Sequence, residues 1–218
     1  MKSMTDWDFG LSGLAKRFHG PWDHEGSELG TIVAAATDRS NEEPGVAARL
    51  LMADSARLLG SALSADDTRV IWLAATGGNH GSQWSSEDVR GWLSRIVEVS
   101  AERLGDLGVA VPDAAVVPVD RQVAQAVVGE IHAAREALSE ELRVRGAREP
   151  DRVVTALVSL AEEVDPDLAF RMFLRVIIAY WVPIELEQYE RYQSWGERFG
   201  YGAYHVDDAD FLVDLVRR

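Results

Sequence analysis

Apolar residues recur every three or four positions along almost the whole chain, and no stretch alternates polar and apolar residues as a half-buried strand would. The pattern predicts an all-α fold, a bundle of about eight to nine helices in two closely packed halves. An opening helix spans Phe9 to Phe18 and stops at Gly20-Pro21; a short one follows from Leu29 to Thr37. The next starts near Asn41 or Glu42 with Pro44 in its first turn, and it lines up Val46, Leu50, Ala53, Leu58 and Ala62. Ser64 caps its partner, Asp66 and Asp67 complement the positive helix end, and Gly77-Gly78 closes it. After the glycine-rich loop Gly77 to Trp84, Ser85 or Ser86 restarts a helix that places Val89, Trp92, Leu93, Ile96 and Ser100 on one face.

The segment Gly105 to Asp120 carries two prolines, two glycines and no Lys or Arg, the sharpest shift in composition along the chain. It predicts a packed linker, 105–120, between a first domain, 1–104, and a second, 121–218. The second opens on one continuous amphipathic helix from Arg121 to about Arg145, with Val123, Val127, Ile131, Ala134, Leu138 and Leu142 on its buried stripe. Glu149 to Val164 supplies another helix. Asp165-Pro166-Asp167 then starts one that runs to Trp181 and is apolar on nearly all sides. That helix belongs at the centre of the second half, where the fold must pair or hydrate its polar line Asp167, Arg171 and Arg175. Pro183 opens a helix to about Phe199, and a last one runs from Asp207 to Val216.

Length and composition change this picture little: 218 residues, 47% hydrophobic and 27% charged, suit a globular chain with a substantial core. The absence of cysteine removes disulfide frameworks, zinc ribbons and thiol catalysis, and favours a cytoplasmic setting. The first twenty residues lack the continuous apolar stretch of an export signal and include Asp6 and Asp8. Leu168 to Ile184 falls short of a bilayer and holds two arginines, so no membrane association is expected. Charge matters more. A net charge of −14 repels phosphates and anionic headgroups, which argues against nucleic acid as a partner.

Candidate chemistry is sparse. His19, Asp23, His24 and Glu25 are metal-type ligands, but Gly20-Pro21 breaks the helix that would put His19 and His24 on one face, and His80 joins them only through tertiary contact. Carboxylate pairs such as Glu162-Glu163 and Asp207-Asp208 are common on acidic surfaces, and nothing in the sequence buries one member to split their pKa values. No HExxH, P-loop, GxGxxG or GxSxG pattern occurs. The expectation is a protein without catalytic residues, cofactor or metal. What stands out is an acidic and aromatic C-terminal segment. Glu185, Glu187, Glu190 and Glu197 interleave with Tyr189, Tyr192, Trp195, Tyr201 and Tyr204, followed by Asp207, Asp208, Asp210 and Asp214. Aromatic anchors in a polar rim compose protein interfaces, although the same aromatics at helical spacing also compose a core stripe.

From Leu14 to Leu104 the chain resembles the contact-dependent growth inhibition immunity proteins of the small helical type. Phe18, His19 and Trp22 match that family's turn after the first helix. Leu58, Leu59, Leu63 and Ser64 match its leucine-rich helix junction, and Trp92 with Leu93 its last helix. Pro21 stands where the family usually has an acidic residue, with Asp23 just after the tryptophan. The resemblance implies a cytoplasmic protein that binds one cognate toxin domain and blocks it. The acidic balance alone suggests that the toxin domain is basic, for example a nuclease. Glu185, Tyr189, Glu190, Tyr192, Tyr201, Tyr204, Asp207, Asp208 and Asp210 are the expected contact residues; a homodimer is also compatible. The alternatives are a helical scaffold or oligomeric regulator, or an enzyme with a pocket around His19, Asp23 and His80 or around Asp167, Arg171 and Arg175.

Overall fold

The computed structural model describes residues 7–19, 27–38, 43–111 and 118–216. Among these the chain is helical, with no strand. The helices are α1 (Gly10–His19), α2 (Glu28–Ala36), α3 (Val46–Gly60), α4 (Ala65–Ala75), α5 (Ser86–Asp106), α6 (Arg121–Ala133), α7 (Arg135–Val144), α8 (Pro150–Glu163), α9 (Pro166–Ala179), α10 (Leu186–Phe199), α11 (Ala203–Asp207) and α12 (Val213–Val216). A 3-10 turn at Asp210–Leu212 precedes the last. This exceeds the eight to nine expected: the segment Arg121 to Arg145, expected as one helix, is divided, and α11 lies ahead of the expected last helix, Asp207 to Val216, which is a 3-10 turn followed by the short α12.

The division falls at Ala134. Ala134 still donates to Glu130 and accepts from Leu138, so the rod between Arg121 and Val144 bends rather than stops. The buried stripe Val127, Ile131, Ala134, Leu138 and Leu142 passes through the bend, and both arms pack on α8. Beyond Asp207 the expected last helix, Asp207 to Val216, becomes α-helical only at Val213. Ahead of that point the amides of Ala209 and Leu212 bond three residues back, to Val206 and Ala209, which tightens the chain into a turn.

Helix starts follow side-chain capping. Ser64 accepts from the Asp67 amide at 3.0 Å, Ser85 and Asp88 form a reciprocal capping box, and Asp165 Oδ1 accepts from Asp167 and Leu168. Two predicted starts move inward. α3 begins only after Gly45, whose φ of 82° cannot continue a right-handed helix, so Pro44 precedes the helix. α10 begins after Glu185, whose side chain and that of Gln188 box the first turn, leaving Pro183 in the extended connector.

One cluster of buried side chains runs through both halves of the chain. Its axis is α9, where every residue from Leu168 to Ile177 is buried. It lies against α1 and α4 of the first half as well as α6 and α8 of the second, and so is central to the whole molecule. Around it α3 packs on α5, and α4 on α8. The α4–α8 seam is crossed by an ion network in which Arg152 meets Asp66, Asp67 and Glu149, while Arg69 meets Asp66 and Glu149. Hydrogen bonds from Arg152 and Arg69 hold the Asp66 carboxyl below its usual pKa; Arg69 chiefly does the same for Glu149. Partial exposure keeps each pair modest in energy, so the network aligns the seam more than it stabilises it.

Candidate functional site

The polar line on α9 is resolved in two different ways. Arg171 is 1% exposed and makes a bidentate pair with Asp54 of α3, at 2.9 Å on both arms. Its guanidinium also reaches Asp167 at 3.2 and 3.4 Å and the Phe9 carbonyl at 3.3 Å, and lies 4.5 Å from the Phe9 ring centre. Asp54 accepts from the Leu11 amide at 3.0 Å as well. Asp167 accepts the hydroxyl proton of Tyr201. Arg57 joins this group to Asp165 at 2.8 Å. Burial pushes the Asp165 carboxyl up despite Arg57, and pushes the Tyr201 hydroxyl up with the help of Asp167.

Arg175, one turn further along, is 4% exposed, and its buried Nε has no hydrogen-bond partner among the described residues. Burial lowers its pKa, and the charges of Asp8 and Asp208 work in the opposite direction. Arg171 and its partners thus tie α3, α9, the start of α1 and Tyr201 together.

That C-terminal segment lies across the start of α1. Tyr204 stacks on Trp7 at 4.7 Å, and Lys16 pairs with Asp208. His205 sits 5.3 Å from the Phe9 ring and 4.3 Å from the Tyr201 ring, with Nδ1 3.8 Å from Asp8. Burial lowers the His205 pKa more than Asp8 raises it; Arg171 lowers it further and Asp167 opposes. His19 is lowered too, by burial and by Arg175. A histidine neutral in the fold but protonated near pH ~6.5 in the unfolded chain costs stability as pH falls below that value. We expect denaturation midpoints to drop from pH 7.5 to 5.5, with His205→Gln dropping less than the parent; equal drops would assign the acid loss elsewhere.

The surface expected from the sequence divides by burial. Tyr192 is fully buried against Phe170 and Phe173, and Tyr201 is 8% exposed, so both are core residues and present no contact area. Tyr192 belongs to the buried stripe by which α10 faces α9, while Tyr201, just past the end of α10, turns in against Phe170 and Asp167. Tyr189 is half-buried and donates to Asp207 at 3.0 Å; burial, aided by Asp207, pushes its hydroxyl up to about 12. Asp207 and Asp208 are therefore engaged within the chain. Glu185, Glu187, Glu190, Glu197, Tyr204, Asp210 and Asp214 are exposed. Sequence reasoning missed three exposed aromatics: Trp7, Trp181 and Phe211, at 48%, 51% and 37%. Trp181 and Phe211 lie beside apolar residues that do enter the core, so hydropathy carries no mark of their exposure.

The histidines reach no metal-type arrangement. His80 accepts from Trp72 Nε1 at 3.0 Å and faces Glu28 at 3.2 Å, which places its ring proton on Nε2. It stacks on Phe18 at 3.9 Å and meets Trp84 edge-on at 4.6 Å, while Trp92 lies 4.2 Å from Trp72. Phe18 and Trp92, from two separate motifs of the immunity-family resemblance, thus meet in one aromatic cluster around Trp72 and His80. Leu58, Leu63 and Leu93 are buried, and Ser64 is the cap of α4. Trp22, Asp23, His24 and Glu25 lie outside the described residues. Among the described residues no three His, Asp or Glu side chains are grouped to hold a metal ion. Glu162 and Glu163 are both exposed, so neither is set apart from the other by burial. No described helix is long and apolar enough to cross a membrane. The chain matches no protein-family model, and no curated protein or solved structure aligns with it significantly.

Proposed function

We propose that this chain is an immunity-type inhibitor: it binds one cognate, basic toxin domain in the cytoplasm and covers that domain's active or substrate-binding face. The observation that carries the reading is the C-terminal segment, in which Glu187, Glu190, Asp210, Tyr204 and Phe211 are each exposed, on a chain of net charge −14. Aromatic contact area supplies affinity, and an acidic field supplies orientation and speed of encounter. The half-buried Asp167, paired with Arg171, receives a hydrogen bond from Tyr201 and so anchors this C-terminal segment.

The test is co-expression with the C-terminal domain encoded by the gene immediately upstream. Growth rescue and a one-to-one complex are expected. Reversing Glu187, Glu190 and Asp210 to lysine together should slow association at least about tenfold at low salt, with less effect at high salt. These three are the informative acids, because Asp207 and Asp208 also hold Tyr189 and Lys16. Association that ignores both salt and charge reversal rejects the electrostatic mechanism; absence of rescue and of a complex rejects the inhibitor reading.

A further inference from the structure

Five helices end in the same hydrogen-bond pattern. The amides of Gly78, Val109, Ala147, Val182 and Tyr201 bond back to the carbonyls of Leu73, Leu104, Leu142, Ile177 and Gly196, closing α4, α5, α7, α9 and α10 with the six-to-one bond of a Schellman motif. The motif needs a left-handed residue just before the donor. After α4, α5, α7 and α10 that residue is glycine: Gly77, Gly108, Gly146 and Gly200, at φ 62°, 65°, 76° and 76°. After α9 it is Trp181, at φ 52°, the one non-glycine residue with positive φ among those described. A bulky side chain in this region is a genuine outlier, strained where glycine is not.

Burial does not account for the tryptophan, since it is 51% exposed. Its ring meets the exposed Phe211 edge-on at 6.0 Å, and the Arg145 guanidinium lies 5.6 Å from its centre. Arg145 is in turn paired with Glu141 at 3.0 Å. The Ile184 amide bonds to the Leu212 carbonyl at 3.4 Å, so the connector after Trp181 runs beside the turn that carries Phe211. Exposed acids flank both segments: Glu185 on the connector, Asp210 and Asp214 around the turn. The result is a rigid aromatic corner with an acidic rim.

We infer that the Trp181–Phe211 corner is the docking surface for an arginine- and lysine-rich apolar segment of a protein partner. The commitment to a basic partner comes from charge complementarity: the rim is acidic and the chain carries −14, which disfavours a second copy as the occupant. Guanidinium groups add attraction to the exposed aromatic surface that Arg145 does not cover, while apolar side chains cover the ring edges. The inference deepens the inhibitor reading by assigning its contact surface, and rests on it for the identity of the partner as a toxin domain.

Trp181→Gly separates a binding role from a structural one, because glycine relieves the strained backbone. The probe is a synthetic amphipathic peptide of leucine and arginine, with a leucine and glutamate peptide as control, titrated into the labelled full chain. Expected are shifts centred on the Trp181 indole and residues 207–214, binding that weakens with salt, and affinity reduced at least about tenfold by Trp181→Gly and by Phe211→Ala. The Tm of Trp181→Gly should hold, or rise by about 2–4 °C. The inference is overturned by shifts centred on Trp7 and Tyr204, by absence of binding, by equal binding of the glutamate peptide, or by unchanged affinity in both variants. It is also overturned if Trp181→Gly lowers the Tm as a core truncation would, or if the parent dimerises and the variant does not, which would make a second copy the occupant. These titrations do not depend on growth rescue. Rescue without Trp181-centred binding would retain the inhibitor and move its interface; Trp181-centred binding without rescue would retain the basic-segment surface and remove the toxin.

Discussion

Alanine at position 54 is expected to destabilise the fold by about 3–5 kcal/mol, a large share of the 5–15 kcal/mol typical of a native domain. The substitution removes both 2.9 Å bonds to Arg171 and leaves a cation that is 1% exposed with only the longer contacts to Asp167 and Phe9. It also removes the acceptor for the Leu11 amide at the start of α1. A buried, uncompensated charge accounts for most of the cost. The intact pair need contribute little by itself, because desolvating both ions offsets their attraction. Asp54→Leu combined with Arg171→Met should therefore recover most of what Asp54→Ala loses. Gly10 marks how closely the site is fitted: at φ 59° a Cβ there would strike the Asp54 carboxylate. Denaturant midpoints decide the matter. A loss under about 1 kcal/mol for Asp54→Ala would show that water or Asp167 satisfies Arg171, and a double variant no better than the single would show that the pair is worth more than apolar packing.

The sequence pattern located this site without assembling it. Asp167, Arg171 and Arg175 at four-residue spacing on an apolar helix had to be paired or hydrated, and that requirement is local to α9. The partner, Asp54, reads as one polar residue among many on α3, because nothing in the spacing of a single helix says which neighbour will face it. Caps were legible for a related reason. Ser64, Ser85 and Asp165 act on amides two or three residues away, so their chemistry is contained in a few consecutive residues. The bend at Ala134 was not, since alanine favours helix and the deviation serves the packing of two arms on α8. The same limit governed the aromatic surface. Tyr192 and Tyr201 follow the helical spacing of a core stripe and are core, whereas Trp181 and Phe211 sit in apolar company and are exposed. Charge survived the translation better: exposed acids stay exposed, because burying them unpaired costs too much.

Phe18→Ala is expected to lose about 3–5 kcal/mol, and the result bears on what the residues that resemble the immunity-family motifs do in this chain. Phe18 has no exposed surface; it stacks on His80 at 3.9 Å and meets Trp72 edge-on at 5.8 Å. Removing the ring leaves a cavity beside an imidazole whose two nitrogens are already committed to Trp72 and Glu28, so the cluster has little freedom to close over it. Trp92→Ala should fall in the same range, since its ring packs on Trp72 and lies 5.1 Å from Trp84. Phe18→Leu, which keeps apolar volume but not the flat stacking face, should cost noticeably less. If these residues were partner contacts, truncation would weaken binding in proportion to lost interface and leave the unfolding midpoint near the parent's. As core residues they should do the reverse: at a temperature where the variant remains folded, its affinity for the basic peptide should match the parent's while its midpoint falls. A variant with parental stability and reduced affinity would place Phe18 in an interface and require the aromatic cluster to open on binding.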